Sequence, residues 1–412
     1  MTTPKTSSRS TLRRRRIPLV AAVSGALLAT LATTAPGAAA DGRLLDTEAL
    51  RRSIAGLPDD DVTGALVRVA GSDGYWWGTS GFADVRTQEA VRSDSSFRIG
   101  SITKLFTGTV VLQLAAEGRV DLDAPVLRYL PGLLPEAYSD VKVGQLLDHT
   151  SGLPAPSSLT YGDGSNEWFV RHRFESWTPE QIVREALRGE RQFPAGTAQQ
   201  YNGINSYVAG LLIEEVTGRS YASEVRSRIV RPLGLRRTYV PEAHDMTLPG
   251  PHAHGYRAVG DGLADVTKQS PYAWAEGGMI STAADLDRFT AALLGGRLLP
   301  PEQQKLLFRL PDPKKVVNLR NPHCANPAGP AAPSAPCFSL GGLMRAVLPN
   351  GTPEGLEVWG KTGSAPGYTN AVFTTRDLSR RVVYSFNYTA PEGRTELPYV
   401  LRILSAAFAS KQ

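Results

Sequence analysis

The chain has 412 residues, 42% hydrophobic and 20% charged, a balance that excludes general disorder and leaves room for two or three packed units. Its formal charge of +6 misleads, because six Lys and Arg side chains precede Asp41 with no acidic residue among them. The remaining 39 cations face 39 anions, and a formally neutral body argues against nucleic-acid binding, which needs excess cation over phosphate.

In chain order, Arg13 to Arg16 form a charged start, Leu19 to Leu31 a mostly apolar run, and Ala38-Ala39-Ala40 a small-residue stretch. The run is too short for a comfortable membrane span, and its flanks suit a secretory signal peptide over residues 1–40, cleaved near Ala40 and Asp41. A retained anchor is the alternative. No later stretch has the length of a spanning helix, so the expected product is exported, extracellular and without a stable membrane span.

Arg43 to Leu57 reads as a short helix. Alternating strands follow around Val62–Val69 and Tyr75–Phe82, joined by the turn Gly71-Ser72-Asp73-Gly74. Ile102, Leu105, Val110, Leu112 and Leu114 give Ser101 to Glu117 the spacing of a buried helix. From about Asp121 to Ser270, helical stretches such as 178–188 and 206–217 alternate with Pro- and Gly-rich connections, and no good strand pairs show. Asp285 to Leu294 is helical; strand patterns return at 357–361, 371–375 and 381–387, and an amphipathic helix runs from Leu397 to Phe408. The expected fold is α/β (α+β): an antiparallel sheet domain (41–120 and 271–412) flanked by N- and C-terminal helices and interrupted by a mainly helical domain (121–270). Such an interface favours a cleft. Cys324 and Cys337, the chain's two cysteines, lie in a proline-rich segment and are expected to form a local disulfide rather than a zinc site.

The most informative stretch is Phe97 to Lys104, FRIGSITK. Ser101 opens a helix and Lys104 follows three residues on, so both share one face with Oγ and Nζ in reach of each other. A serine needs a partner to take its proton, and a desolvated lysine near a helix N-terminus can serve. The Ser101 N–H at that helix end can also face a developing oxyanion. The pattern S-x-x-K alone is weak, since Ser139 to Lys142 repeats it in a polar connection where Ser139 reads as a helix cap.

With Leu122-Asp123, Tyr129 to Gly132, Leu146 to Leu153 (LLDHTSGL), Tyr201, Pro232 to Leu235, Gly277 to Phe289 (GGMISTAADLDRF) and Lys361-Thr362-Gly363 in that order, the chain resembles the serine penicillin-recognising family. The likeness is to its class C β-lactamase and Streptomyces D-alanyl-D-alanine carboxypeptidase branch, and it implies a β-lactamase/transpeptidase-like fold. It further implies that Ser101 is acylated, that Lys104 and Tyr201 share the proton duties, and that Lys361 favours the ionised form of Tyr201. Thr362, Gly363 and Ser364 would lie on an edge strand, with the Ser364 N–H as second oxyanion donor. One departure matters: the family's Y-x-N has become Tyr201-Asn202-Gly203. Asn202 or Asn205 would have to supply the amide that normally helps hold the lysine and the substrate's side-chain amide. Arg345 is the candidate cation for a substrate carboxylate, and Trp274 the candidate pocket-lining tryptophan.

A Ser-His-Asp hydrolase is the first rival, but no G-x-S-x-G is present and Ser72 sits in a hairpin. His252 and His254 lack a third metal ligand at sensible spacing. The expected protein is therefore an exported serine hydrolase with no metal and no cofactor, acting as a monomer on a small peptide or β-lactam substrate. The favoured substrate is the D-alanyl-D-alanine end of cell-wall peptidoglycan peptides, with penicillin sensitivity. An esterase or β-lactamase using the same serine, or a catalytically silent penicillin-binding protein, are the alternatives.

Overall fold

The computed structural model describes residues 45–72, 74–156, 162–319, 335–348 and 355–408. The leader-like residues 1–40 and Cys324 fall outside these; Cys337 is disulfide-bonded.

Helix α1 (Thr47–Ser53) begins where Asp46 Oδ1 accepts the Glu48 and Ala49 N–H groups, two donors that a helix start leaves unpaired. It is shorter than the 43–57 span expected. Strands β1 (Val62–Gly71), β2 (Gly74–Asp84) and β3 (Glu89–Ala90) follow, then helix α2 (Thr103–Ala116). The helices α3 (Ile204–Thr217), α4 (Trp274–Gly277) and α5 (Ala283–Leu294) come next. The chain returns to the sheet with β4 (Met344–Leu348), β5 (Leu356–Ala365), β6 (Tyr368–Thr374) and β7 (Arg381–Tyr388), and ends in α6 (Leu397–Phe408).

The seven strands make one antiparallel sheet in the order β4-β5-β6-β7-β1-β2-β3. Its two faces can be read from alternate residues, because successive strand side chains point to opposite sides. Val67, Val69, Ala371, Phe373, Val382 and Tyr384 pack with Leu50 of α1 and with Ile403, Leu404 and Phe408 of α6. Leu66, Trp359, Val372 and Val383 face the other way and join Leu105, Phe106 and Val110 of α2, Tyr207 and Leu212 of α3, and Leu286 and Phe289 of α5. This second core is the larger one, and it includes most of the helical middle of the chain.

Three local expectations need correction. Lys361 to Ser364 do not belong to the edge strand, since β4 lies outside β5. However, β4 pairs only as far as Gly360, so residues 361–365 have no β4 partner. The stretch expected to lack strand pairs contains the hairpin Tyr256–Val259 with Gly262–Asp265, turned at Gly260, where φ is +53°. Ser139 does not cap the helix that follows. It closes a 3₁₀ turn over Glu136–Tyr138, and Gln145 Oε1 accepts the Lys142 N–H at the helix start.

Candidate active site

Ser101 sits in the 3₁₀ turn Gly100–Ile102 that runs straight into α2. Two glycines bring this turn against β5. Gly100 has φ +52°, and a Cβ there would lie 2.4 Å from the Ser364 carbonyl oxygen; a Cβ at Gly363 would lie 2.1 Å from the Ile99 oxygen. Only residues without a side chain allow two backbones so close. Trp359, Lys361 and Gly363 lie on the same face of β5, so Lys361 points toward α2 with Trp359. Its neighbour Ser364 is exposed to the cleft.

Lys104 is 4% exposed, and its Nζ donates to Ser101 Oγ at 3.0 Å and to the Glu276 carbonyl at 2.8 Å. It also forms a short ion pair with Glu276 Oε1. Glu276 belongs to α4, which Thr107 fastens to α2 by donating to the Ala275 carbonyl at 2.9 Å. Tyr201, just ahead of α3, presents its ring to both lysines, with Lys361 Nζ 4.7 Å and Lys104 Nζ 5.1 Å from the ring centroid. His149 and Phe338 hold that ring from behind, at centroid distances of 4.6 and 5.1 Å.

The four groups set one another's charge. Burial alone would raise the Tyr201 phenol, but the Lys104 and Lys361 ammoniums and a hydrogen bond with Ser101 outweigh it, and its pKa is lowered. Burial alone would lower Lys104, but the Glu276 carboxylate and Tyr201 outweigh it, and its pKa is raised. Lys361 is lowered by burial, with Lys104 adding to the effect against the pull of Tyr201. Burial and the same two lysines hold His149 well below its ordinary value. Its Nδ1 accepts from the Asn202 N–H at 3.3 Å, as a neutral imidazole can.

The structure thus brings Ser101, Lys104, Tyr201 and Lys361 together, with Thr362, Gly363 and Ser364 alongside. Thr362 offers its carbonyl to Lys361 Nζ at 2.9 Å. The remaining named residues are placed differently. Asn202 Nδ2 donates to the carbonyls of Leu153 and Pro154, and Asn205 Oδ1 accepts from Ser151 Oγ at 2.6 Å. Both asparagines therefore tie the 148–154 turn to α3. The Trp274 ring meets Tyr221 edge-on at 5.1 Å, and Arg345 pairs with Glu357 at 2.6 Å. An open cleft of about 990 Å³ lies over the serine, lined by Ser101, Glu276, Ser364, Tyr272, Trp168 and Arg257 among others; Arg345 and Trp274 do not line it.

Sequence reasoning passed over Glu276 and Gln199. Gln199 receives the Cys337 and Phe338 N–H groups on Oε1 and donates to the Asp148 and Phe338 carbonyls, which seats Phe338 behind Tyr201. No local pattern marks either residue. The vacancy at Gly203 was the only signal that something else must hold Lys104.

Comparison with known proteins finds relatives both in sequence and in fold. Penicillin-binding protein 4 of Amycolatopsis lactamdurans is 30% identical over 234 residues, 54% of this chain and 56% of that protein. The chain thus matches only about half the length of this curated relative. The structure of a D-stereospecific amidohydrolase from Streptomyces sp. superposes with a TM-score of 0.71 at 32% identity, covering 88% of this chain and 98% of that one. D-amino acid amidase from Ochrobactrum anthropi SV3 follows at 0.70 and 26%, covering 87% and 97%. The Beta-lactamase family model matches residues 50–406, nearly the whole described body, and the chain belongs to that family.

Proposed function

We propose that the protein is a serine hydrolase of amides and esters that works through an acyl-Ser101 intermediate, with Tyr201 as the base. The observation that carries this reading is the hydroxyl–amine–phenol–amine cluster, in which Lys104 Nζ lies 3.0 Å from Ser101 Oγ and both lysines flank the Tyr201 ring. Glu276 keeps Lys104 protonated, so the lysine is a poor proton acceptor, while two cations favour the phenolate. Tyr201 takes the Ser101 proton as Oγ adds to the substrate carbonyl, a step in which a placed base is worth about 10²–10⁴-fold. The Ser101 and Ser364 N–H groups face the resulting oxyanion, and each such donor is worth about 10²–10³-fold. The phenol then protonates the leaving group, and water releases the acyl group by the reverse route.

The acyl donor in this proposal is an amide of a D-amino acid. Support comes from the D-stereospecific amidohydrolase and the D-amino acid amidase, which resemble the chain over almost their full length. A D-alanyl-D-alanine carboxypeptidase acting on cell-wall peptides is the second reading, favoured by the penicillin-binding relative. It needs a cation for the terminal carboxylate; Arg345 is spent on Glu357 outside the cleft, and Arg257 of the cleft lining is the side chain left to supply it. Export through the leader-like first forty residues belongs to the same proposal; secreted protein should begin near Asp41.

The test is steady-state hydrolysis of D-alanine p-nitroanilide and of an N-acylated peptide ending in D-alanyl-D-alanine by wild type and Ser101→Ala. Anilide turnover lost in the variant supports the first reading, and peptide turnover without anilide turnover supports the second. Rates equal in both proteins would overturn the assignment of the serine.

A further inference from the structure

Gly203 stands two residues after Tyr201, at the start of α3. A Cβ built there would lie 3.0 Å from Glu276 Cγ and Oε1 and 3.2 Å from Cδ. The Glu276 carboxylate therefore occupies the space that a residue at 203 would fill, and from that space it pairs with Lys104. Its side chain is 13% exposed and lines the cleft together with Ser101 and Ser364. Neither neighbouring amide takes up this position, since Asn202 and Asn205 are bound into the 148–154 turn. A carboxylate carried by a different element has replaced an amide.

This exchange changes what the cleft can recognise. An amide offers donors and an acceptor, whereas an ionised carboxylate offers acceptors only. We propose, resting on the acyl-serine reading above, that Glu276 selects acyl donors with a free α-amino group and disfavours N-acylated ones, penicillins included. The α-nitrogen of an amino acid amide is two bonds from the carbonyl carbon that Ser101 attacks. Lys104 Nζ bonds both Ser101 Oγ and the Glu276 carboxylate, so the two lie close together and an ammonium at that nitrogen comes within reach of the carboxylate. The contact is a charge-assisted hydrogen bond in a partly desolvated place. An N-acyl group leaves a single uncharged N–H at that nitrogen and places an acyl carbonyl oxygen and its substituent beside the carboxylate. The charge assistance is then lost and the oxygen is repelled, so the N-acylated analogue is disfavoured.

The experiment compares kcat/KM for D-alanine p-nitroanilide and N-acetyl-D-alanine p-nitroanilide near pH 7, with p-nitrophenyl acetate as an amine-free report on Ser101. Wild type should prefer the free amine by about 100-fold. In the paired variant Gly203→Asn with Glu276→Ala, which restores an amide and removes the carboxylate, the ratio should fall by about tenfold or more. Glu276→Gln, of nearly equal volume, serves the same purpose if the paired variant does not fold; an unchanged ratio in it overturns the inference. Equal wild-type rates on the two anilides, with p-nitrophenyl acetate still cleaved, overturn the role of Glu276 alone. Failure to cleave any of the three substrates overturns the acyl-serine reading itself.

Discussion

Ser101 to Lys104 and Ser139 to Lys142 have the same spacing of serine and lysine but opposite surroundings. Lys104 is 4% exposed, bonded to Ser101 Oγ and to Glu276 from 172 residues away. Lys142 has a side chain 49% exposed and faces Asp123, itself 86% exposed, at 3.6 Å, while Ser139 closes a surface 3₁₀ turn. An exposed pair of that kind contributes little. A buried ammonium must instead be matched by an anion, and the groups that match it fix its charge and its neighbours' charges. The tetrad gains chemistry only where a sheet strand, a turn and two helices converge on it.

Substitutions can break this contrast, beginning with the largest effect. Ser101→Ala should lower p-nitrophenyl acetate turnover by about 10⁴-fold or more, and Ser139→Ala should leave it unchanged. Tyr201→Phe should lose about 10³-fold with folding intact by circular dichroism, since the base is removed and the ring kept. Lys361→Met sharpens the account through pH. The phenolate is the active form, so taking away a cation raises the Tyr201 pKa and moves the acidic limb of kcat/KM alkaline by about one pH unit. A limb that stays put or moves to lower pH contradicts the assignment of Tyr201.

The smallest effect concerns stability, in the turn beneath the site. Burial pushes Asp148 from 3.8 up to about 6. The native state then holds its proton more tightly than the unfolded chain, so this contribution is complete below pH 3.8 and is lost as pH rises through about 6. Asp148→Asn should flatten that part of a denaturation series by at most about 3 kcal/mol.

Much of the fold was legible because it follows simple periods. The 62–71 and 74–84 strands are long runs rich in valine and aromatic residues joined by a Gly-rich turn, and α6 carries its apolar face in one stripe. The hairpin at 256–265 escaped notice because its strands have four residues each and mostly half-buried or exposed positions, leaving no alternation to read. In the site, Ser101 and Lys104 were visible because their relation is local, one helical turn. Glu276 was not, because its partner is distant in the chain and a single Glu before two glycines has no signature. Asn202 and Asn205 were drawn toward the site by sequence proximity to Tyr201, but the 148–154 turn competes for their amides and wins. Trp274 and Arg345 likewise find partners outside the cleft, in Tyr221 and Glu357.

The central claim is that Ser101 carries the acyl group, and it can be tested by stopping wild-type turnover of p-nitrophenyl acetate with acid and mapping the peptides by mass. The account predicts one acetyl group on the peptide containing Ser101, absent from Ser101→Ala. An acetyl group on the Ser139 peptide, or full turnover in Ser101→Ala with that adduct missing, would contradict it.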